Sequence, residues 1–352
     1  MNLYAHQSLD KTATVIDVAA IQEFKQYIQL IGRGQRAGKT LTQTQAYRAM
    51  RLLLTNQVTA EQRGAFLMLL RVREETAEEI AGFLQAAREC SAVNNNNFAV
   101  DIDMACYAGK RRHLPWVVLS ILCLAQAGLK VFVHGTSEPD SKRLYVSHAL
   151  EQLGFSLAKN AADIKQHLAT HNFAYADLAW LNPNLAHLIQ LRRHLGLRSC
   201  ANTLARMLNP LSATASLQGV YHRHLDEKHA KVATLLDEPN VMVFRGDAGE
   251  VERNPERAVE IHHCQHGQHF VQELPTINNN WVTKPRTLDL QHLVSVWRAD
   301  AHDKYGESAV IGTMTLMLLA SKHTNRKVAE QEASALWQTR DRAWPTRGQG
   351  EA

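Results

Sequence analysis

Basic side chains concentrate in two loops of this chain, and each loop follows a short apolar segment typical of a buried strand, at 99–103 and 129–134. The cations are Lys110, Arg111 and Arg112 in the first loop, and Lys142 and Arg143 in the second. An apolar run at 116–127, with Pro115 before it and Gly128 after it, predicts a helix between the two strands. Ligands of such strand–helix–strand units bind where the loops leave the carboxyl ends of the strands. The sequence therefore predicts an anion-binding site at this edge of a sheet.

A second basic region supports the same prediction. No acidic residue lies between Asp177 and Asp226, whereas this interval contains Arg192, Arg193, Arg198 and Arg206. The loop 32–40 is also free of acids and contains Arg33, Arg36 and Lys39. Cations without nearby acids leave a surface that phosphates can neutralise, with release of counterions. The alternative is that one face of a mildly basic protein lacks acids by chance.

Composition places the chain among globular proteins. Its 352 residues are 45% hydrophobic and 21% charged, with a net charge of +5, and they suffice for two domains. The five cysteines form no CxxC pair, which indicates reduced thiols. The first 25 residues do not have the pattern of a signal peptide, and the longest apolar run is too short to cross a membrane. We therefore expect a cytoplasmic protein with no membrane partner.

Local signals predict a helical first part. Three threonines, Thr42, Thr59 and Thr76, are each followed three residues later by Gln or Glu, which is the spacing of a capping box. A further helix is predicted at 21–31. The polar segment 91–98 interrupts this pattern and predicts a domain boundary.

From residue 98 onward, apolar strands alternate with helical stretches, which predicts an α/β domain with a mainly parallel central sheet. Strands are predicted at 173–179 and 241–244, and a hairpin at 258–264 and 269–274. Helices are predicted at 142–153, 161–170, 183–194, 288–297 and 308–321, followed by a polar tail from Lys322.

Two cysteine-containing segments have alternative interpretations. In HHCQHGQH, residues 262–269, strand alternation would place His262, Cys264 and His266 on one face, as zinc ligands require. The spacing matches no zinc motif, so we predict a solvated hairpin and no metal. Cys106 would be a nucleophile if neighbouring cations lowered the pKa of its thiol. A buried structural thiol is the interpretation we favour, and we predict no catalytic residue.

The helical region carries a family resemblance. GAFLMLLR and ETAEEIAGF, within residues 41–89, resemble the amino-terminal domain of anthranilate phosphoribosyltransferases and related nucleoside phosphorylases, of glycosyltransferase family 3. The resemblance continues through VDID, LKVFVHG and LGLRSCANTLARMLNP, and weakly to about residue 321. It implies a small helical domain over 1–92, completed by a segment near 177–208, and an α/β domain over 98–352. It also implies a homodimer formed through the helical domains.

The chemical motifs of that family are altered in this chain. Where the family has a glycine-rich loop that wraps the pyrophosphate of phosphoribosyl pyrophosphate, this chain has Cys106, Tyr107 and a single glycine, Gly109. His134 and Gly135 remain of the motif after the second strand, and the magnesium-binding acidic pair falls at 245–252 without two adjacent acids. Arg198 matches the arginine that faces the aromatic substrate. Such losses resemble a paralogous branch with a degenerate phosphoribosyl pyrophosphate site that has been associated with nucleic-acid binding.

The functional prediction is therefore a non-enzymatic nucleic-acid binder, of DNA or RNA without sequence preference, that needs no cofactor. The alternative is an active phosphoribosyltransferase that uses magnesium and transfers phosphoribosyl to anthranilate or another small aromatic. In that case Lys110, Arg111 and Arg112 would replace backbone amides as pyrophosphate ligands.

Overall fold

The computed structural model describes residues 17–34, 39–93, 98–138, 141–279, 287–322 and 324–344. A helical part and a seven-stranded α/β part divide these residues between them, as the sequence and the family resemblance predict for the fold class. No helix among them is long and apolar enough to span a membrane.

The helices are α1 Val18–Ile31, α2 Gln43–Leu54, α3 Ala60–Arg73, α4 Ala77–Glu89, α5 Val117–Gln126, α6 Val146–Gln152, α7 Ala161–His171, α8 Leu178–Leu181, α9 Pro183–Gln190, α10 Arg192–Leu195, α11 Ala201–Arg206, α12 Leu225–Leu235, α13 Gln291–Arg298, α14 Lys304–Ser321 and α15 Arg326–Thr339. The strands are β1 Ile102–Cys106, β2 Val131–Gly135, β3 Phe173–Asp177, β4 Ala215–Val220, β5 Val241–Arg245, β6 Val259–Gln265 and β7 Gln268–Leu274.

All three predicted capping boxes are present. Thr42, Thr59 and Thr76 each accept from the backbone N–H three residues later, and the side chain of that later residue accepts from the threonine N–H. These caps satisfy N–H groups that the first helical turn leaves without partners. Helices α8, α9 and α11 pack into the same hydrophobic cluster as α1 to α4. The segment after β3 thus contributes to the helical part.

The sheet has the order β3-β2-β1-β4-β5-β6-β7. Its first five strands are parallel, and β6 and β7 form an antiparallel hairpin at one edge. Helix α5 packs between the sheet and α14, within the larger hydrophobic cluster. Parallel strands point their carboxyl ends to the same edge, so the loops after β1, β2, β4 and β5 meet there.

The structure differs from the predicted elements in several places. The first strand begins at Ile102 and continues to Cys106, because β2 and β4 pair with it on both sides. Strand β4 and helix α12 were missing from the prediction. The predicted polar tail from Lys322 is wrong, since α15 begins at Arg326 and buries Trp337 in the main core.

Candidate functional site: an arginine-lined cleft

A cleft of about 640 Å³ lies at the carboxyl ends of the parallel strands, next to the helical part. Its lining comes from the loops after β1, β2, β4 and β5, from the segment 192–206, and from the end of α3. Sequence segments that are far apart therefore form a single concave surface. This is the sheet edge at which the sequence predicted an anion site.

Six of the predicted cations line this cleft. They are Arg111, Arg112, Arg143, Arg192, Arg198 and Arg206. Arg111, Arg112 and Arg192 are exposed, whereas Arg206 is half-buried and donates to the carbonyl oxygens of Gly219 and Gly249, at 3.3 and 3.2 Å. Carbonyl partners orient a guanidinium without cancelling its charge.

Sequence reasoning missed several lining residues. Arg71, at the end of α3, and Arg257, after β5, add two further arginines. No local sequence pattern marks Arg71 as a cleft residue, because an exposed arginine in the last turn of a helix is common. Tyr221 also lines the cleft and is 68% exposed. In the sequence, Tyr221 is marked only by the basic residues that follow it at 222–224.

The arginines of the cleft influence one another. The pKa of the Arg198 guanidinium is lowered by burial and then by the nearby charge of Arg192, and Glu138 offsets part of this effect. Arg192 lies 3.6 Å from Glu138 Oε1, and both side chains are nearly half exposed. Such an exposed ion pair contributes little stability, so Arg192 can readily exchange Glu138 for another anion. The cleft is therefore a region in which cations repel one another, and a bound anion would reduce that repulsion.

The structure corrects the prediction for Lys110. Its side chain is 1% exposed and cannot contact a ligand in the cleft. Lys110 Nζ lies 2.7 Å from Glu252 Oε1 and also forms an ion pair with Asp247. The two carboxylates raise the pKa of Lys110 against the opposing effect of burial. Lys110 therefore belongs to the floor below the cleft.

Tyr107 and His134 occupy the ends of two adjacent strands. The Tyr107 hydroxyl lies 2.7 Å from His134 Nδ1, and the Tyr107 ring packs against the hydrophobic cluster of the helical part. Gly135 permits this close arrangement, because a Cβ there would lie 2.2 Å from the carbonyl oxygen of Cys106. The Cys106 thiol is buried, and desolvation raises its pKa, which favours the structural interpretation over a nucleophile.

The residues present do not fit the magnesium–pyrophosphate arrangement implied by the family resemblance. Gly109, with φ of 65°, donates its N–H to Glu250 instead of offering it to a ligand. Glu252 Oε2 accepts from the N–H of Val117, at 2.8 Å, while Oε1 and Asp247 hold Lys110. Each acid of the segment 245–252 thus already has an N–H or ammonium partner from this chain.

Other predicted residues lie elsewhere. Arg33, Lys39, Lys142 and Arg193 are exposed but are not part of the cleft lining. Arg36 lies outside the described residues. Proximity in sequence to a basic cluster therefore did not decide which side chains reach the cleft.

The histidine-rich hairpin forms as predicted, but its side chains do not gather as the zinc alternative required. His266 lies in the turn with φ of 44°, and the Cys264 thiol donates to the carbonyl oxygen of Ala230. His262 instead groups with Asp226 and Glu260, their nearest ligand atoms all within 4.8 Å. Arg245 lies 3.4 Å from Asp226 and supplies a positive charge to this cluster.

Fold and cleft together define a helical-bundle plus α/β protein with an arginine-lined cleft at the sheet edge. Family comparisons agree with this class. Residues 25–91 match the model described as "Glycosyl transferase family, helical bundle domain", and residues 117–336 match "Glycosyl transferase family, a/b domain". The chain belongs to this glycosyl transferase family.

The curated relatives include anthranilate phosphoribosyltransferases. That of Symbiobacterium thermophilum is 30% identical over 213 residues, which is 60% of this chain and 62% of the relative. That of Bacillus cereus is 29% identical over 210 residues, 59% of this chain and 61% of the relative. The match thus spans about three fifths of the length of these relatives.

Solved structures share the fold over nearly the whole chain. Anthranilate phosphoribosyltransferase from Thermus thermophilus has a TM-score of 0.70 at 19% identity, covering 90% of this chain and 94% of that chain. The Saccharomyces cerevisiae enzyme in complex with PRPP and Mg has a TM-score of 0.71 at 18% identity, covering 92% and 94%. At these identities the likeness establishes the fold.

Proposed function

We propose that this protein binds the phosphate backbone of nucleic acid in the arginine-lined cleft, without sequence preference. The observation that carries the proposal is the convergence of arginines from separate loops on one open surface at the carboxyl ends of the strands. Guanidinium groups bind phosphate oxygens in a bidentate manner, and phosphate contacts position a protein without reading the bases.

The charge balance of the cleft supports a polyanion as ligand. Asp247 and Glu256 are the carboxylates among the described residues of the lining, and Asp247 is already paired with Lys110. Burial and the charge of Arg192 lower the pKa of Arg198, so the cations repel one another when no ligand is bound. A phosphate chain would relieve that repulsion at several arginines together, which a single small anion cannot do.

Tyr221 favours a single strand over a duplex. Its ring is exposed in the same cleft as Arg206 and Arg198. A base of a single strand can stack on such a ring, which typically contributes about 1–3 kcal/mol per base and tolerates any sequence. Bases in a duplex are already stacked on each other and cannot use this contact. The sequence pattern alone gave no preference between the two.

The test is a fluorescence-anisotropy titration with labelled single strands and duplexes over a range of KCl concentrations. We expect the logarithm of the association constant to fall linearly with the logarithm of the salt concentration, with a slope of about −0.7 per phosphate on a single strand and about −0.9 on a duplex. Scrambled sequences should bind equally well. A Tyr221→Ala variant should lose affinity for the single strand and retain its affinity for the duplex. Binding that ignores salt would contradict the proposal.

A second candidate is a phosphoribosyltransferase, which the names of the curated relatives favour. Arg198, the match to the substrate-facing arginine, also lines the cleft. The pairing of Asp247 and Glu252 with Lys110 weighs against it. Purified protein supplied with anthranilate, phosphoribosyl pyrophosphate and magnesium should show no turnover above background. Steady product formation would establish the second candidate instead.

A further inference from the structure

We propose that Lys110 is an internal counterion that fills a latent divalent-cation site, formed by Asp247 and Glu252, and keeps that site closed to magnesium and manganese. This inference does not depend on what the cleft binds. It concerns the floor beneath the cleft, where one ammonium contacts carboxylate oxygens of two residues that follow β5.

The position suits a small hard cation once the ammonium is removed. Asp247 Oδ2 and Glu252 Oε1 both contact the same nitrogen atom and so face a common point. Magnesium in proteins is held by one or two carboxylates, with waters completing its coordination. The Asp247 side chain is already oriented by Asn254 Nδ2, which donates to its other oxygen at 3.0 Å. The carboxylates are therefore arranged before any metal arrives.

The backbone delivers Lys110 to this point and holds it there. The N–H of Lys110 donates to the carbonyl oxygen of Leu144 at 2.7 Å, and the N–H of Leu144 donates back at 2.8 Å. At Gly109 a Cβ would lie 2.8 Å from the Tyr145 ring, so a side chain there would push the loop out of place. The ammonium is thus fixed by its own loop as well as by the carboxylates.

The same carboxylates perform a structural task that a metal would disturb. Glu252 Oε2 accepts from Val117 in the first turn of α5, where the N-cap residue Trp116 provides no side-chain cap. Glu252 therefore joins the loop after β1, the loop after β5 and the start of α5. A divalent ion would have to displace the ammonium or lie beside it, and like charges repel strongly in a buried environment.

The experiment measures manganese binding to the full chain by electron paramagnetic resonance of free Mn²⁺. Wild-type protein should contain no Mn²⁺ site that depends on Asp247. Lys110→Met removes the charge and retains most of the side-chain length, and it should create one site at least about tenfold tighter than any in the wild type. Adding Asp247→Asn to Lys110→Met should abolish the new site. Lys142→Met, in the neighbouring loop, should behave as wild type.

Two results would overturn the proposal. The first is a wild-type Mn²⁺ site that disappears in Asp247→Asn, because the acids would then hold metal despite Lys110. The second is a folded Lys110→Met variant that gains no site.

Urea unfolding provides an independent measurement should Lys110→Met be too unstable to titrate. Removing Lys110 leaves the fully buried Glu252 carboxylate and the partly buried Asp247 carboxylate without their ammonium partner, so the further change Glu252→Gln should raise the unfolding midpoint above that of Lys110→Met. In the wild-type background the same Glu252→Gln change should lower the midpoint. A change in the same direction in both backgrounds would show that Lys110 and Glu252 do not act as a charge pair, and would overturn the proposal.

Discussion

The Tyr107 hydroxyl and His134 Nδ1, 2.7 Å apart, connect the carboxyl ends of β1 and β2, at the sheet edge where the arginine-lined cleft lies. In the family that the sequence resembles, the loops that begin at these two strand ends surround a pyrophosphate. Here desolvation raises the pKa of the Tyr107 phenol well above its usual range, so this side chain stays neutral. Because a neutral phenol offers no positive charge, an anion bound in this cleft is expected among the arginines.

Arg192 and Arg193 provide a matched pair for testing which cations contact phosphate. Arg192 lines the cleft, whereas its neighbour Arg193 is not part of the lining. We expect Arg192→Ala to make the salt dependence shallower by about 0.7 on a single strand or about 0.9 on a duplex, the contribution of one phosphate. Arg193→Ala should leave the slope unchanged. Anisotropy titrations of both variants measure the two slopes. If Arg193→Ala made the slope shallower and Arg192→Ala did not, the cleft would not be the binding surface.

Glu79 stabilises the helical part through several contacts at once. Its fully buried carboxylate accepts from the N–H groups of Leu41 and Thr76, at 2.8 and 2.9 Å, and from Arg73 at 2.7 Å. Glu79→Gln should lower the free energy of unfolding by roughly 2–3 kcal/mol, because Arg73 loses its charged partner while remaining partly exposed. Glu78→Gln, on the exposed side of α4, should change it by less than about 0.5 kcal/mol. Urea denaturation of both variants measures the difference.

The burial of His229 predicts that the protein loses stability in mild acid. It is fully buried, and desolvation lowers its pKa from 6.5 to about 3. Below pH 6.5 the unfolded chain therefore binds a proton that the folded chain does not. Stability should fall by about 1.4 kcal/mol per pH unit from this group, or about 2–3 kcal/mol between pH 6.5 and pH 4.5. The loss from this group should continue down to about pH 3.

The matched control is His229→Gln, which cannot take up a proton in this range. Its unfolding free energy should depend less steeply on pH between 6.5 and 4.5 than that of the wild type. Equal slopes for the two proteins would mean that His229 is not the group responsible.

The homodimer implied by the family resemblance is a separate prediction. Light scattering should give twice the chain mass of 39.5 kDa. Val72 on α3 and Val18 on α1 are 81% and 70% exposed, and they offer apolar surface on the helical part. Val72→Asp should weaken the dimer if that surface is buried between subunits. A monomer at micromolar concentration would contradict the prediction for the wild type.

Features that depend on neighbours in sequence were predictable. The capping boxes at Thr42, Thr59 and Thr76 are such local features, and so is the hairpin turn at His266 and Gly267. The position of the cleft followed from topology, because parallel strands share one carboxyl edge. Helix α15 was missed although Ala329, Ala333 and Trp337 recur at helical spacing, so there the signal existed and was not used.

Features that depend on distant partners were not predictable. Strand β4 contains Ser216 and Gln218, polar residues that argue against a fully buried strand. Ser216 donates to Asp103 at 3.3 Å, and Gln218 Oε1 lies 2.8 Å from His229 Nδ1, so their burial is compensated from other elements. The burial of Lys110 likewise depends on carboxylates that are 137 and 142 positions later in the chain.

These large separations along the chain bear on the order in which parts of the molecule fold. The floor of the cleft joins Gly109 to Glu250 and Val117 to Glu252, across 141 and 135 residues. Contacts between such distant segments carry a large loop-closure cost, which is met only after the intervening strands and helices are in place. The capped helices α2 to α4 need only local contacts to begin forming. The basic loops therefore take up their final arrangement late in folding, and a nascent chain acquires its complete cleft only after residue 257 has left the ribosome.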